Sequence, residues 1–343
     1  MAADKNQGDS HEQLEMANGD EEEEEEGDED EYMLDLTSAQ LHDLADVDLP
    51  PFLKELDLTA NRLSLLDDRI SHMSKLQKLS IQQNLFGDDA VNVLAQWPAL
   101  FGMQELVLRD NKLSKIPPLK DFVNLKVLDI SFNEVLSLEG ISVVTSRLQE
   151  LYVQKNEVAK IEELEHLQNL QVLELGSNKI RVMEGLERLT ALRELWLGRN
   201  RIRNVDLCGL TGLVRISIQS NRLTSMRAFE ECVNLEELYL SHNSISQMEG
   251  LSPLHKLRVL DLASNKITEI CDIENLTRLE DLWLNDNSIA TLDGIEKLLE
   301  GCMGCLTTIY LERNPCELDP NYMRRLRAAL PKLQQLDSHL VLH

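Results

Sequence analysis

Twelve positions, spaced 21 to 27 residues apart, hold the side chains best suited to engage another molecule: Asp57, Ser80, Val107, Asp129, Tyr152, Glu174, Trp196, Ser217, Tyr239, Asp261, Trp283 and Tyr310. From Asp129 onward, carboxylates are interspersed with large aromatics. Two of the chain's three tryptophans and three of its five tyrosines fall in this one column. Exposed rings flanked by carboxylates suit a basic, partly apolar protein surface. A second column, two residues earlier, adds Glu55, Glu105, Glu150, Glu194, Glu237 and Asp281. A competing reading has the acids and rings pairing with each other across strands; it leaves the concentration of rings in one column unexplained. Catalysis finds no footing. No G-x-x-x-x-G-K-[ST], H-E-x-x-H or G-x-S-x-G run occurs. The histidines are scattered, with His242 alone near the column. The expectation is a non-enzymatic chain that calls for no metal and no cofactor.

The column belongs to a larger pattern, Leu-x-x-Leu-x-Leu-x-x-Asn-x-Leu, that recurs twelve times and most often every 22 residues. Its asparagines are Asn61, Asn84, Asn111, Asn133, Asn156, Asn178, Asn200, Asn221, Asn243, Asn265, Asn287 and Asn314. Self-similarity at this period predicts a curved α/β solenoid of leucine-rich repeats. In the repeat Leu235 to Lys256, Leu238 and Leu240 share one face of a short strand and Tyr239 points the other way. Stacked repeats pair these strands into a concave parallel β-sheet. Asn243 turns the chain inward, where an amide side chain has both donors and acceptors for otherwise unpaired backbone groups. Ile245, Met248, Leu251 and Leu254 return at three-residue spacing, which predicts a convex side of short 3₁₀ turns. The leucines are core, and the concave face is expected to be free to serve a partner.

Four segments follow. Residues 1–31 hold fifteen acids and one lysine, a charge of −14, which leaves −12 of the total −26 for the rest. Such a tail is expected to be disordered. Residues 32–52 read as an N-terminal cap, with Leu34-Asp35-Leu36 a degenerate first strand that has Ala39 in place of asparagine. Residues 53–316 hold the twelve repeats. Residues 317–343 form a C-terminal cap, in which Tyr322, Leu326 and Leu330 have helical spacing and Leu333 and Leu336 close the last turn. Two asparagine intervals of 27 residues mark insertions, at Gly87–Gly102 and Lys297–Gly304. The first contains Ala90, Val93, Leu94 and Trp97 and reads as a short convex helix. Cys208, Cys232 and Cys271 read as core fillers. Cys302 and Cys305 form a C-x-x-C, with Cys316 the only further cysteine nearby, short of the four ligands of a structural zinc site. No basic stripe is visible, which argues against nucleic acid. No apolar stretch is long enough to span a membrane, and the acidic, polar start differs from a secretory signal. An intracellular chain, monomeric alone, is expected.

The phrases Leu-Asp-Ile-Ser-Phe-Asn at 128–133, Leu-Glu-Leu-Gly-Ser-Asn at 173–178, Leu-Tyr-Leu-Ser-His-Asn at 238–243 and Tyr-Leu-Glu-Arg-Asn-Pro at 310–315, in this order, resemble the leucine-rich regulatory subunit 7 of type 1 serine/threonine protein phosphatase. The resemblance covers residues 34–343. It implies a non-catalytic subunit that holds the phosphatase catalytic subunit on its concave face and controls its activity, maturation or targeting. It also implies residence in nucleus and cytoplasm, a role in mitosis, and room for a third regulatory protein. The contacts it implies are Asp129, Tyr152, Glu174, Trp196, Asp261, Asp281, Trp283 and Tyr310; Tyr239 joins them from the ring-bearing column. The family more often has phenylalanine where Tyr152 and Trp196 stand. A basic-Val-x-Phe docking peptide is absent from the repeats, consistent with docking by a folded surface. The alternatives are an acidic leucine-rich histone or chromatin chaperone, whose acidic tail would be longer and follow the repeats, and an adaptor for another enzyme.

Overall fold

The computed structural model describes residues 32–207 and 209–341; the acidic segment 1–31 and Cys208 lie outside the described residues. Fifteen short strands form one sheet in strict sequence order. The first, β1, is Met33–Asp35. The twelve repeats supply β2 Glu55–Asp57, β3 Lys78–Ser80, β4 Glu105–Val107, β5 Val127–Asp129, β6 Glu150–Tyr152, β7 Val172–Glu174, β8 Glu194–Trp196, β9 Arg215–Ser217, β10 Glu237–Tyr239, β11 Val259–Asp261, β12 Asp281–Trp283 and β13 Thr308–Tyr310. All of these pair in parallel with their neighbours. β14 (Gln335–Leu336) continues the parallel order, and β15 (His339–Leu340) turns back antiparallel to close the edge.

Register is set by the leucines. Leu173 pairs with Leu195, so Glu174 pairs with Trp196; likewise Trp283 pairs with Tyr310. The leucines at the strand centres, among them Leu128, Leu151, Leu173, Leu195 and Leu238, have no exposed surface. Each such burial contributes about 1.5–3 kcal/mol. A one-residue slip in any strand would turn its leucine outward, so the register of the outward columns is fixed from behind.

The asparagines form the expected ladder. Asn178 donates through Nδ2 to the carbonyls of Val153 (2.9 Å) and Leu175 (3.0 Å), and its Oδ1 accepts from the amide of Val158 (3.0 Å). One side chain thus satisfies three backbone groups of two successive turns, and the same pattern holds at Asn84, Asn133, Asn200 and Asn287. The residue before each repeat asparagine is left-handed, with φ between 53° and 58°, and none is glycine. Nothing in the sequence signals this. The strain is offset because the amide of that residue reaches the next repeat, as Lys155 does to Gly176 (2.8 Å) and Ser177 to Gly198 (2.7 Å).

The return segments carry short 3₁₀ helices, for example Asp68–His72 and Ile141–Val143. The first insertion holds helix α1, Asp88–Asn92, continued by 3₁₀ turns at Val93–Gln96 and Pro98–Leu100; it buries Ala90, Val91 and Leu94. Helix α2, Ile295–Leu298, opens the second. The helix expected at the C-terminal end is α3, Tyr322–Ala329. Its Tyr322 hydroxyl donates to Asp337 Oδ2 (2.8 Å), while Asp337 Oδ1 accepts the amides of Leu311 (2.7 Å) and Glu312 (2.9 Å). A buried carboxylate here satisfies amides that the asparagine ladder leaves open. Cys232, Cys302 and Cys316 are buried free thiols, and Cys271 and Cys305 are half-buried. Burial pushes the Cys302 thiol up to about 11, which keeps it protonated.

Candidate functional site: the concave sheet face

Asp129, Tyr152, Glu174, Trp196, Tyr239, Asp261, Asp281, Trp283 and Tyr310 all lie on β5–β13 at the positions that alternate with the buried leucines. Their surroundings divide them by side-chain type.

The carboxylates of the main column fold onto the strand exit. Asp57 accepts the amide of Thr59 (2.8 Å), Asp129 that of Ser131 (2.8 Å), Glu174 that of Gly176 (2.6 Å) and Asp261 that of Ala263 (3.0 Å). Each satisfies an amide two residues on, at the point where the strand turns inward. The expectation that this column is free to serve a partner therefore needs correction: its acids also have a structural task. Asp261 is the extreme case. It is only 5% exposed, and burial raises its carboxyl above the usual range against the opposing hydrogen bonds from Ser241 and Ala263.

The rings behave differently. Tyr152 donates to Glu150 (2.7 Å), Tyr239 to Glu237 (2.9 Å) and the Trp196 indole to Glu194 (3.2 Å). In each case the acceptor is the second-column glutamate two residues back on the same strand. Burial and Glu237 together push the Tyr239 phenol up to about 12. Acids and rings thus pair along a strand rather than across strands. Across strands, ring meets ring. Trp196 and Tyr239 stack at 6.4 Å over the small Ser217, and Trp283 meets Tyr310 edge-on at 6.3 Å. Arg215 bridges the flanking glutamates, at 2.6 Å to Glu194 and 3.2 Å to Glu237.

Trp283 breaks the pattern. Its indole Nε1 is buried and is the one such side-chain atom among the described residues without a hydrogen-bond partner. The residue two back is Asp281, one methylene shorter than the glutamates beside Tyr152, Trp196 and Tyr239. The Asp281 carboxylate accepts no hydrogen bond from any described residue, so β12 holds a buried unsatisfied donor beside a free carboxylate.

Glu174 sits in a depression of about 250 Å³ lined by Gln154, Gly176, Ser177, Trp196, Gly198, Arg199, Ser217 and Gln219. Gly176 leaves room for the carboxylate: a Cβ there would stand 2.6 Å from Glu174 Oε1. Burial lifts the Glu174 carboxyl to about 7, against the lowering pull of the Gly176 amide and Arg109. One neighbouring feature was not legible in the sequence. Phe132, on a left-handed turn, lies between Arg109 (4.2 Å from the ring centre) and Lys155 (4.6 Å). Phe132 belongs to neither outward column, so the strand pattern does not single it out.

The pattern described as "Leucine rich repeat" matches residues 146–202 and 211–267, and "Leucine Rich repeats (2 copies)" matches 102–142. Among solved structures, an internalin of Listeria monocytogenes superposes with a TM-score of 0.77 at 24% identity, covering 89% of this chain and 86% of that one. A leucine-rich-repeat protein of Leptospira interrogans gives 0.65, also at 24% identity, over 88% and 94%. These two establish the fold alone. The deciding match is "Protein phosphatase 1 regulatory inhibitor subunit PPP1R7 homolog" of Arabidopsis thaliana, 61% identical over 308 residues, 90% of this chain and 94% of the relative. The chain belongs to the phosphatase regulatory subunit 7 family. "Protein phosphatase 1 regulatory subunit 7" of Bos taurus matches a shorter stretch, 50% identical over 36 residues, 10% of each chain. Members of the regulatory subunit 7 family are named as regulators or inhibitors, and the chain is not an enzyme.

Proposed function

We propose that this chain binds the catalytic subunit of type 1 protein phosphatase across β5–β13 and thereby regulates it. Asp129, Tyr152, Glu174, Trp196, Tyr239, Asp281, Trp283 and Tyr310 form the contact surface, and Asp261 supports it from beneath. The observation that carries this reading is at β12. A buried indole N–H without an acceptor costs about 1–3 kcal/mol, and a turn of the half-buried ring that brings the N–H to a partner carbonyl or carboxylate removes that cost. The adjacent Asp281 then meets a basic group of the same partner. The relatives' names supply the identity of the partner; the rings and acids supply the chemistry.

The test is a titration of the purified chain against the catalytic subunit at two salt concentrations. Wild-type affinity falls as salt rises, because the face is acidic. Trp283→Ala weakens binding by about 2 kcal/mol or more, roughly thirtyfold, with the melting curve unmoved. Equal affinity of wild type and Trp283→Ala would overturn the concave assignment. No binding by the wild type would overturn the partner.

A further inference from the structure

Several arginines of this protein meet a carboxylate from a neighbouring repeat: Arg215 with Glu194 and Glu237, Arg227 with Glu249, Arg258 with Glu280, Arg313 with Asp286. One edge of the solenoid departs from that arrangement. Lys179, Arg201 and Arg222 each follow a repeat asparagine, and their amides donate to Val158, Ile180 and Ile202 of the preceding turns, all at 2.8 Å. These bonds stack the three cations turn upon turn. Arg181 and Arg203 stand two residues further along the same extended segments, and Arg199 sits on the left-handed turn before Asn200. Lys179 reaches Glu157. Arg181, Arg199, Arg201, Arg203 and Arg222 make no ion pair with any described residue, and Arg201 is half-buried while the other four are exposed. In a chain of charge −26, six cations therefore occupy one edge over three repeats. No basic stripe is visible in the linear sequence because these residues are spread over 44 positions, 179 to 222; stacking gathers them, and that expectation is corrected here.

Like charges stacked on neighbouring turns repel one another, and an anion lying along them offsets that repulsion. We propose that this edge docks an acidic, carboxylate-rich stretch of a partner polypeptide. An arginine fork donates paired N–H bonds to the two oxygens of a carboxylate. From Lys179 to Arg222 is two strand steps, roughly 10 Å, which an extended segment of about three residues spans. A nucleic acid would run beyond this short patch onto a body of charge −12 and be repelled. Only the far end of the protein's own acidic run reaches this edge: Glu21 lies eleven residues before Tyr32, roughly 37 Å when taut, while β7 stands six strand steps from β1, roughly 29 Å. The run would have to be held near full extension, whereas an acidic segment of a partner already docked on the neighbouring concave face carries no such tether, and the edge is therefore assigned to a second chain. Arg199 lines both this edge and the depression around Glu174, so the acidic stretch lies beside whatever occupies the concave face.

The experiment titrates the full chain with a short fluorescent peptide of alternating glutamate and serine, at low and high salt. Wild type binds the peptide and releases it as salt rises. The double substitution Arg201→Glu with Arg203→Glu lowers affinity at least tenfold. Lys112→Glu and Lys266→Glu, at the equivalent position after their asparagines but outside the patch, leave it unchanged. Melting curves confirm that each variant is folded, and Trp283→Ala keeps full peptide affinity, which separates this edge from the concave face. Equal binding by wild type and the double variant overturns the proposal, as does no peptide binding by the wild type. Tighter binding of a single-stranded oligonucleotide of equal charge overturns the choice of occupant. A tenfold gain in affinity on removal of residues 1–31 would identify the protein's own tail as the occupant and overturn the assignment to a second chain.

Discussion

Strands β2–β4 and strands β6–β13 are built alike behind the sheet and differ in front of it. Both halves bury the same leucine positions and carry the same asparagine ladder. In β2–β4 the outward groups are small or answered locally. The Asp57 carboxylate holds the Thr59 amide, the Thr59 and Ser80 hydroxyls meet at 2.9 Å, and Lys78 pairs with Glu105 at 3.1 Å. In β6–β13 five rings stand in the same column, four of them in ring-to-ring contact, and the Trp283 indole N–H is unanswered. The fold is thus indifferent to ring or small side chain on the concave face. It is not indifferent to the acids between the rings, which hold the strand exits. The recognition surface and the structural devices share one column, and only the hydrogen-bond partners tell them apart.

That contrast can be broken or sharpened by substitution. The largest effect is expected in the core, equally in both halves. Leu197→Asp and Leu108→Asp, both without exposed surface in the wild type, each bury an unpaired charge at a cost of several kcal/mol; urea titration should show both losing cooperative folding of the surrounding repeats. On the surface the halves should part. Trp196→Ala loses about 2 kcal/mol of phosphatase binding, Val107→Ala next to none, and calorimetry finds little change in melting for either. A Val107→Ala variant that loses as much as Trp196→Ala would remove the distinction between the halves. The ladder should again be blind to position: Asn84→Ala and Asn200→Ala each cost about 1–3 kcal/mol of stability, because both strand backbone groups without partners.

The smallest effect is a pH dependence confined to the ring-bearing half. The folded state raises the Glu174 carboxyl from 4.5 to about 7. Between those values the native state binds more protons than the unfolded one, so this group's contribution to stability is fully present below 4.5 and lost as pH rises through 7. Glu174→Gln should melt higher than wild type at pH 8, with the gap closing at pH 5. Binding should run the other way. A basic partner needs the carboxylate ionised, so wild-type affinity falls as pH drops below about 7, and Glu174→Gln flattens that limb.

The period of the leucines and asparagines determined the solenoid, its concave parallel sheet and the register of its columns, and the four-residue spacing of Tyr322, Leu326 and Leu330 determined the helix at Tyr322–Ala329. Each follows from a local rule: alternate residues of a strand face opposite ways, residues four apart share one face of a helix, and a repeat buries its apolar side only against its neighbours. The same rule placed all nine candidate residues on one face. Tertiary structure decided what each of them is free to do. Asp129, Glu174 and Asp261 turn back onto amides two residues ahead, whereas Asp281 does not, and Trp283 lacks the acceptor that Glu194 gives Trp196. The difference between glutamate and aspartate two residues before a ring is visible in the chain, but its meaning depends on where the indole N–H comes to rest. The arginine edge is further from view still. Its members are about 22 residues apart in the chain and one strand apart in space, and only stacking converts the first distance into the second.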